Sequence, residues 1–360
     1  MSVVLLAGGP GTRLHPFTHT TPKPLLELGD TAILAMQLAL CRRHGLSDVV
    51  LNIHHLANTV PQTLGDGAAH GVRLRYSVEE TPLGTAGPVA LASSMLDAGP
   101  HVVFNGDVLT DLDLTALLDA HRRSGAAVTL ACTEVRDPTA FGLVLADEAG
   151  RVTRFLEKPT RDEAKVLVDR FWINAGTYVL ADEVVRRIPL GRPFSFEREL
   201  FPQLLADGVH LQRHESSVYW RDCGTPEAWR AATRDLLDGV TPPPEHWVRQ
   251  VRDGHVVWTG GEVRWGEDVL VTGGPIFLGE GVRLADGVRL GRHAVLGPGV
   301  EIGERGRVSG AMLGRGSRAG AAVRLEAGIV GSGSVLGDEC VIGSEVLLGS
   351  GTVLARGTRL

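Results

Sequence analysis

The first two thirds of the chain alternate short apolar runs with segments whose apolar residues recur at helical spacing. The runs SVVLLAG, DVVLNI, VRLRYSVE and HVVFNGD predict strands, and helical spacing predicts helices at 32–43 and at AGPVALASSML. This alternation, which extends to about residue 236, is typical of βαβ units in a mostly parallel sheet. Ligands of such sheets bind beyond the carboxyl ends of the strands.

Three candidate segments directly follow predicted strand ends. They are the glycine-rich loop that opens at Leu6, the pair Glu79-Glu80, and Asp107. We therefore expect these segments to lie along one edge of the sheet. The segment AFGLVLADEAGRVTRFLEKP predicts a different element, a hairpin that turns at 148–150.

The last third of the chain has a different rhythm, in which an apolar anchor recurs every six residues with two five-residue steps. The anchors are Leu278, Leu284, Leu290, Leu296, Ile302, Val308, Leu313, Ala319, Leu325, Val330, Leu336, Ile342, Leu348, Leu354 and Leu360. The next residue is almost always small, and Glu326 is the exception. This period predicts a parallel β-helix of about five triangular coils. It resembles the hexapeptide-repeat left-handed β-helix, and because such solenoids expose flat faces we expect a homo-oligomer formed through it.

The two rhythms divide the chain. We predict an α/β domain with a Rossmann-like, mostly parallel sheet at 1–237 and a left-handed β-helix at 269–360. Residues 238–268 contain TPPPEHW and no clear period, which predicts a linker.

The net charge bears on which partners the protein binds, and the cysteine content bears on its compartment. The 360 residues carry a formal net charge of -6, so we expect neither nucleic acid nor a membrane as a partner. No apolar run reaches the roughly 18 residues of a membrane span, and no basic segment precedes the first strand. The 4 cysteines are scattered without a C-x-x-C pair, which is typical of reduced thiols. We expect a cytoplasmic protein.

The opening loop, LAGGPGTRLHPFT, is a candidate phosphate site. Its glycines let backbone N–H groups converge on an anion, and Arg13 adds positive charge. A Walker A loop is excluded because Arg13 stands five positions after Gly8 and no Lys-Ser or Lys-Thr follows. A Rossmann fingerprint is excluded because Leu14 stands where its third glycine belongs. The loop therefore belongs to another type, with plain turn geometry as the alternative.

A lysine follows this loop in the segment TPKPL. Lys23 lies between two prolines, which stiffen the backbone from which its side chain extends. Arginine has replaced lysine almost everywhere, since the other lysines are Lys158 and Lys165. A compact ammonium is favoured at Lys23 and Lys158, and Lys23 suits a chain of phosphates. The alternative for Lys23 is a proline-rich turn.

Six ordered motifs resemble those of the nucleoside-diphosphate-sugar pyrophosphorylases, or sugar-1-phosphate nucleotidylyltransferases. The motifs are LAGGPGTRLHPFTHTTPKPL, ETPLGTAG, FNGDVL, FLEKP, NAGTYVL and WRDCGTPEAW, spread over some 230 residues. In that family an oxygen of a sugar-1-phosphate attacks the α-phosphorus of a nucleoside triphosphate, which gives a nucleotide sugar and pyrophosphate. The resemblance therefore implies a nucleotidyltransferase, an enzyme that works by positioning and charge neutralisation.

The resemblance also implies roles for individual residues. Arg13, Lys23 and Asp107 would be catalytic, and Asp107 and Asp222 would bind Mg²⁺. Nucleotide binding is implied for Leu6, Ala7, Gly8, Gly9, Gly11, Thr12, Glu79, Gly84 and Thr85. Sugar-phosphate binding is implied for Gly142, Glu157, Lys158, Asn174 and Thr177. For Asp111 and Asp113 we instead favour capping of the helix that follows.

The resemblance implies that the segment from Glu79 to Gly84 lines the pocket for the nucleotide base. Guanine presents two adjacent donors that one carboxylate can accept, which favours GTP. PLGTAGP and FSFERELFP are most similar to the mannose-1-phosphate guanylyltransferase branch, which implies GTP and mannose-1-phosphate. A glucose-1-phosphate thymidylyl- or uridylyltransferase is the alternative. A nucleotide-sugar-sensing regulatory subunit remains open, as does an acyltransferase that uses His293 as its base.

Overall fold

The computed structural model describes all residues from Met1 to Leu360. The chain forms two compact units. The first comprises Met1–Pro10 and Leu34–Asp222, and the second comprises Gly11–Ile33 and Cys223–Leu360. The second unit thus contains most of the segment that joins the first strand to the first helix.

Thirteen strands and eight α-helices occupy the chain up to residue 237. The strands are β1 (Val3–Leu6), β2 (Glu27–Leu28), β3 (Thr31–Ala32), β4 (Asp48–Ile53), β5 (Arg73–Val78), β6 (His101–Asn105), β7 (Val108–Thr110), β8 (Val128–Val135), β9 (Gly142–Ala146), β10 (Val152–Glu157), β11 (Phe171–Leu180), β12 (Leu211–Glu215) and β13 (Trp220–Asp222). The helices are α1 (Ile33–Arg43), α2 (Thr59–Leu64), α3 (Gly87–Ala92), α4 (Leu114–Ser124), α5 (Arg161–Leu167), α6 (Asp182–Val185), α7 (Phe201–Ala206) and α8 (Pro226–Leu237). None of these helices is long and apolar enough to cross a membrane.

The first unit is built on a nine-stranded sheet. The order along its main path is β10-β9-β11-β6-β1-β4-β5. Strand β8 also pairs with β11, and β12 pairs with β8. Strands β6, β1, β4 and β5 are parallel, so their carboxyl ends meet at one edge. Strand β11 runs antiparallel to β6 and begins the antiparallel part of the sheet. The predicted α/β class is confirmed.

Local predictions in this unit are also confirmed. Strands β9 and β10 form the predicted antiparallel hairpin. Helix α4 begins after Asp113, whose carboxylate accepts a hydrogen bond from the Ala116 amide at 2.9 Å. This bond satisfies an amide that has no partner within the helix, as expected of an aspartate cap.

The second unit contains a parallel β-helix. Its strands are β14 (Val248–Arg252), β15 (His255–Thr259), β16 (Val263–Trp265), β17 (Leu270–Val271), β18 (Ile276–Leu278), β19 (Val282–Leu284), β20 (Arg289–Leu290), β21 (Val295–Leu296), β22 (Glu301–Ile302), β23 (Arg307–Ser309), β24 (Met312–Leu313), β25 (Arg318–Ala319), β26 (Arg324–Glu326), β27 (Ile329–Val330), β28 (Val335–Leu336), β29 (Val341–Ile342), β30 (Leu347–Leu348) and β31 (Val353–Leu354). Strand β14 pairs antiparallel with β15. From β15 onward, successive strands enter three sheets in turn, and each strand pairs in parallel with the third strand after it. The predicted β-helix is confirmed.

The period has a steric cause. Most anchors are buried, including Leu278, Leu290 and Leu296 at 0% exposure. The residue after an anchor packs against the next coil, which leaves little room for a side chain there. A Cβ on Gly331, for example, would lie 2.4 Å from the Ser350 nitrogen.

The segment predicted as a linker, 238–268, contains β14, β15 and β16. Strand β15 pairs with β18, and β16 with β19, so the stack of coils already includes them. Thr259, Trp265 and Val271 are in register with the anchors Leu278, Leu284 and Leu290. Periodicity did not reveal them because the step from Val271 to Leu278 is seven residues and because threonine and tryptophan stand at the first two positions. The domain limits 1–237, 238–268 and 269–360 stay a prediction.

Candidate functional site

The start of the glycine-rich loop lies between two strand ends of the first unit. The Ala7 amide donates to the Asn52 carbonyl at 2.8 Å, and the Gly106 amide donates to the Leu6 carbonyl at 2.9 Å. Gly8 follows in a place that excludes any side chain, because its Cβ would lie 2.5 Å from Oε1 of Glu79. At Gly9 a Cβ would meet no atom within 4 Å. The loop therefore presents its backbone at the carboxyl edge of the sheet.

Glu79 stands beside this loop at the end of β5. Its side chain is buried, and its Oε2 accepts a hydrogen bond from the Leu83 amide at 2.6 Å. Burial raises the pKa of Glu79, while the Leu83 amide and the nearby His54 oppose that rise. The neighbouring Glu80 is exposed. Of the two candidate carboxylates, Glu79 is the one held against the glycine loop.

The segment after Glu79 is fixed by the chain near Phe194. Gly84 has φ +80° and forms a parallel bridge with Phe194, whose carbonyl oxygen would lie 2.7 Å from a Gly84 Cβ. Thr85 donates from Oγ1 to Glu197 at 2.9 Å and accepts from the Phe196 amide at 2.9 Å. Gly84 and Thr85 are thereby placed on the same edge as Glu79.

Asp107 and Asp222 come together through a two-stranded ribbon. Strand β13 pairs with β7 so that Asp222 lies opposite Val108, the residue after Asp107. The side chain of Gln37, which is 2% exposed, donates to the carbonyls of Asn105 and Val108 at 2.8 Å each. Gln37 therefore braces the backbone on both sides of Asp107. Its role was missed because nothing within helix α1 distinguishes it from an ordinary polar residue.

These two aspartates are an incomplete ligand set by themselves. No three His, Cys, Asp or Glu side chains cluster in a way that could hold a metal ion. Carboxylate oxygens are hard donors that suit Mg²⁺, which commonly completes its shell with phosphate oxygens and water. The donor chemistry at Asp107 and Asp222 therefore fits a magnesium ion that arrives with a phosphate substrate.

The predicted sugar-phosphate residues lie on β9, β10 and β11 or directly after them. Gly142 and Glu157 are opposite each other, and a Cβ on Gly142 would lie 2.5 Å from the Phe155 ring and 3.0 Å from Oε2 of Glu157. Lys158 is exposed, with φ +50°, and its amide donates to the Phe141 carbonyl at 3.0 Å. The hairpin thus presents Glu157 and Lys158 side by side.

Strand β11 supplies the other two predicted residues. Asn174 donates from Nδ2 to the Tyr178 hydroxyl at 2.7 Å and accepts from the Gly176 amide at 3.0 Å. Thr177 is buried and lies opposite Phe104 of β6. Between these residues Gly176 has φ +71°, and the register of β11 with β8 shifts there. This irregularity lets Asn174 depart from regular strand geometry.

Sequence reasoning missed a partly buried hydrogen-bond network that joins these segments. Glu197 accepts from Thr85, from Ser195 at 2.8 Å and from Tyr178 at 3.3 Å. Tyr178 in turn accepts from Asn174. The motif FSFERELFP contains Glu197 and Ser195, but the other contacts of Glu197 lie on two distant segments, at Thr85 and on β11, so spacing could not reveal them.

The remaining predicted residues belong to the second unit. Gly11 has φ +64°, and its Cβ would lie 3.0 Å from Cβ of Lys23 and 3.0 Å from Cγ2 of Thr18. Thr18 also donates from Oγ1 to the Gly11 carbonyl at 2.9 Å. Lys23 is 8% exposed, whereas Thr12 and Arg13 are exposed. Gly11 and Lys23 are thus in close backbone proximity.

The same segment is held by α8 and the β-helix. Trp229 of α8 donates to the Glu27 carbonyl at 2.9 Å, and Arg315 of the β-helix forms an ion pair with the Glu27 carboxylate at 2.7 Å. Asp30, at the β2–β3 turn, accepts from Trp247 at 2.7 Å. The loop that carries Arg13 and Lys23 is therefore anchored within its own unit.

Comparison with known proteins agrees with the sequence motifs. Residues 2–239 match the family described as Nucleotidyl transferase. The chain is 40% identical over 293 residues to a mannose-1-phosphate guanylyltransferase of Mycobacterium tuberculosis, which covers 79% of this chain and 78% of that protein. It is 36% identical to a mannose-1-phosphate guanyltransferase of Emericella nidulans, over 67% of this chain and 65% of that protein. The crystal structure of HddC from Yersinia pseudotuberculosis has a similar fold, with TM-score 0.57 and 25% identity over 65% of this chain and 99% of that chain.

Proposed function

Because this chain belongs to the nucleotidyl transferase family, we propose that it transfers the guanylyl group of GTP to mannose-1-phosphate, which gives GDP-mannose and pyrophosphate. The guanylyltransferase relatives support this pair of substrates. The family assignment makes the chain a nucleotidyltransferase, and the choice of nucleotide and sugar is the proposed part.

The buried carboxylate of Glu79 carries the choice of GTP. Guanine offers two adjacent N–H donors, at N1 and at the 2-amino group, which one carboxylate can accept together. Thymine and uracil offer a single N–H, so the same carboxylate would bind them less well. An ionised carboxylate provides about four acceptor positions, and the Leu83 amide occupies one of those on Glu79.

The glycine-rich loop would bind the phosphates of the nucleotide. Its exposed backbone suits an anion, and close packing at Gly8 and Gly11 explains why glycine is required there. Lys23 would hold the phosphates, and Arg13 would stabilise the negative charge of the departing pyrophosphate. The backbone contacts would come from Leu6, Ala7, Gly8, Gly9, Gly11 and Thr12.

Asp107 and Asp222 would hold Mg²⁺ together with phosphate oxygens. Asp222 lies opposite Val108, the residue after Asp107, and this proximity supports the assignment. Bound there, the ion would neutralise phosphate charge during transfer. Gln37 would keep Asp107 in place through the backbone on both sides.

The hairpin and strand β11 would bind the sugar phosphate. Lys158 would pair with its phosphate, and Glu157 and Asn174 would bind its hydroxyls. The backbone at Gly142 would approach the sugar closely, since no side chain fits at that position. Thr177 would support Asn174 from the same strand.

The test is pyrophosphate release by the purified chain with Mg²⁺. GTP, dTTP, UTP, ATP and CTP are each paired with mannose-1-phosphate or glucose-1-phosphate. We expect GTP with mannose-1-phosphate to give the highest kcat/KM, and Glu79→Gln to lower kcat/KM for GTP about tenfold. A preference for dTTP or UTP would overturn the assignment of guanine recognition to Glu79. If no pair of substrates released pyrophosphate, the result would favour the regulatory subunit.

We also propose self-association through the β-helix and a cytoplasmic location. Val335 and Val353 are neighbours in register on one β-helix face and are 42% and 74% exposed, so a second copy could bury them. All four cysteines are free, as is typical of reducing compartments. Light scattering on the wild type and on Val353→Lys tests the first proposal, since we expect the variant to dissociate.

A further inference from the structure

The segment around Glu197 has an unusual backbone. Residues Phe196–Leu200 form a π-helix, which begins after Ser195. The Ser195 hydroxyl oxygen accepts from the amides of Glu197 and Arg198. π-Helical turns are rare and frequently occur at functional sites.

The carboxylate of Glu197 is the centre of a network that crosses the first unit. It accepts hydrogen bonds from Thr85 at 2.9 Å, Ser195 at 2.8 Å and Tyr178 at 3.3 Å. Tyr178 is fully buried and accepts from Asn174 at 2.7 Å. A continuous chain of hydrogen bonds thus runs from Thr85 through Glu197 and Tyr178 to Asn174.

The two residues at the ends of this hydrogen-bond network, Thr85 and Asn174, lie in segments that we assign to different substrates. Thr85 follows Glu79 in the segment that we assign to the nucleotide, and Asn174 lies on the strand that we assign to the sugar phosphate. Burial and the charge of Glu197 both raise the pKa of Glu157, so these two carboxylates lie near each other. The positive charges of Lys158 and Arg198 oppose that rise. Glu197 is therefore also near Glu157, another residue that we assign to the sugar phosphate.

We propose that Glu197 is a positioning residue that holds Thr85 and Asn174 in the orientations needed to bind the nucleotide and the sugar phosphate. This inference rests on the proposed function. Tyr178 transmits the position of Glu197 to Asn174, whereas Thr85 contacts Glu197 directly. The network has two separable arms, one towards each substrate.

The test compares variants that cut the arms separately. Tyr178→Phe removes the hydroxyl that joins Glu197 to Asn174, and we expect KM for mannose-1-phosphate to rise about tenfold while KM for GTP changes less than twofold. Thr85→Val removes the other arm and should raise KM for GTP alone. Glu197→Ala should raise both KM values about tenfold, because each hydrogen bond to a charged group contributes that much.

Two further variants separate positioning from general stability. Glu197→Gln keeps an oxygen acceptor, so we expect smaller increases in KM than for Glu197→Ala. Glu199→Gln is the matched control, because Glu199 lies in the same π-helix but accepts from the Ser195 amide and pairs with Arg192. It should keep both KM values within twofold of the wild type.

The outcomes are decisive even if turnover fails. Unchanged KM values in Glu197→Ala, or equal effects of Tyr178→Phe and Thr85→Val on both substrates, would overturn the proposal. If the wild type turns over no pair, the proposed function fails, and hydrogen exchange of residues 83–87 and 174–178 tests the network alone. Tyr178→Phe should then speed exchange at 174–178 but not at 83–87, and an absence of that difference would overturn it. If Glu197→Ala does not fold, the two arm variants decide.

Discussion

The sheet of the first unit and the β-helix of the second hold their polar groups in opposite ways. At the sheet edge, buried or half-buried polar side chains bind partners far away in sequence, as Gln37 binds the Asn105 carbonyl and Thr85 binds Glu197. In the β-helix, neighbouring strands are close in sequence. Arg289 lies opposite Arg307 in strand register, and Arg307 lies opposite Arg324, so strand partners are fewer than 20 residues apart. The interior there is mainly apolar. Candidate chemistry therefore concentrates where long-range contacts can stabilise buried polar groups.

The largest effect on activity should come from Asp107 and Asp222, at the β7–β13 ribbon. We expect Asp107→Asn and Asp222→Asn each to lower kcat a hundredfold or more, roughly the loss caused by removing one group that stabilises transition-state charge. The matched β-helix change is Asp338→Asn, whose side chain can still accept from the Ala321 amide. Pyrophosphate release measures all three. Near-normal rates in both ribbon variants would contradict the metal assignment.

Removing core volume should separate stability from activity. Leu290→Ala empties part of the β-helix interior and should lower the free energy of unfolding by about 2–5 kcal/mol, with kcat/KM unchanged in the folded protein. Leu5→Ala, at an equally buried position of β1, should lower both stability and kcat/KM, because β1 supports the glycine loop. Denaturant unfolding and kinetics below the transition provide the measurements. If Leu290→Ala and Leu5→Ala lowered kcat/KM equally, activity would not depend more on the first unit than on the β-helix.

The next effect concerns neighbouring glycines. Gly8→Ala places a Cβ where Oε1 of Glu79 stands, so we expect KM for GTP to rise about tenfold and the melting temperature to fall. Gly9→Ala meets no protein atom within 4 Å and should leave the melting temperature unchanged. A loss of GTP binding in Gly9→Ala would then report on contact with the nucleotide. If the melting temperature fell in both variants, the fall in Gly8→Ala could not be attributed to its close packing against Glu79.

A smaller effect should appear in the pH dependence of GTP binding. Burial raises the pKa of Glu79 above its ordinary value of 4.5, so its carboxylate is protonated at a higher pH than an exposed glutamate. Because guanine needs the ionised form, KM for GTP should rise as the pH falls through this raised pKa. In Glu79→Gln, KM for GTP should lose that dependence, while KM for mannose-1-phosphate should vary with pH as it does in the wild type. An identical pH profile in the variant would exclude Glu79 as the titrating group.

The smallest effect should come from the ion pair between Arg315 and Glu27. Arg315→Ala removes a partly exposed pair that anchors the loop carrying Lys23, so we expect at most about 1 kcal/mol of lost stability and a two- to threefold rise in KM for GTP. Arg318→Ala is the control, since Arg318 pairs with Glu301 within the β-helix. Kinetics of the two variants measure the difference. Equal changes would show that the loop does not depend on this pair.

Prediction succeeded where the pattern is local. The six-residue anchors, the hairpin β9–β10 and the cap at Asp113 each follow from residues close together in sequence. It was incomplete elsewhere. The first β-helix strands were missed because a seven-residue step separates Val271 from Leu278. Neither Gln37 nor Glu197 stands out from its sequence neighbours, because the partners of both are distant. The register that places Asp222 opposite Val108 also depends on pairing across more than a hundred residues.

The sequence alone determined the two architectures, the glycine loop and the identity of most candidate site residues, because periodicity, glycine content and motif spacing are properties of neighbouring residues. Tertiary structure alone decided that Glu79 rather than Glu80 is held against Gly8, and that Glu197 joins Thr85 to Asn174 through Tyr178. Those choices depend on which side chains are buried together, and burial is set by how distant strands and turns pack.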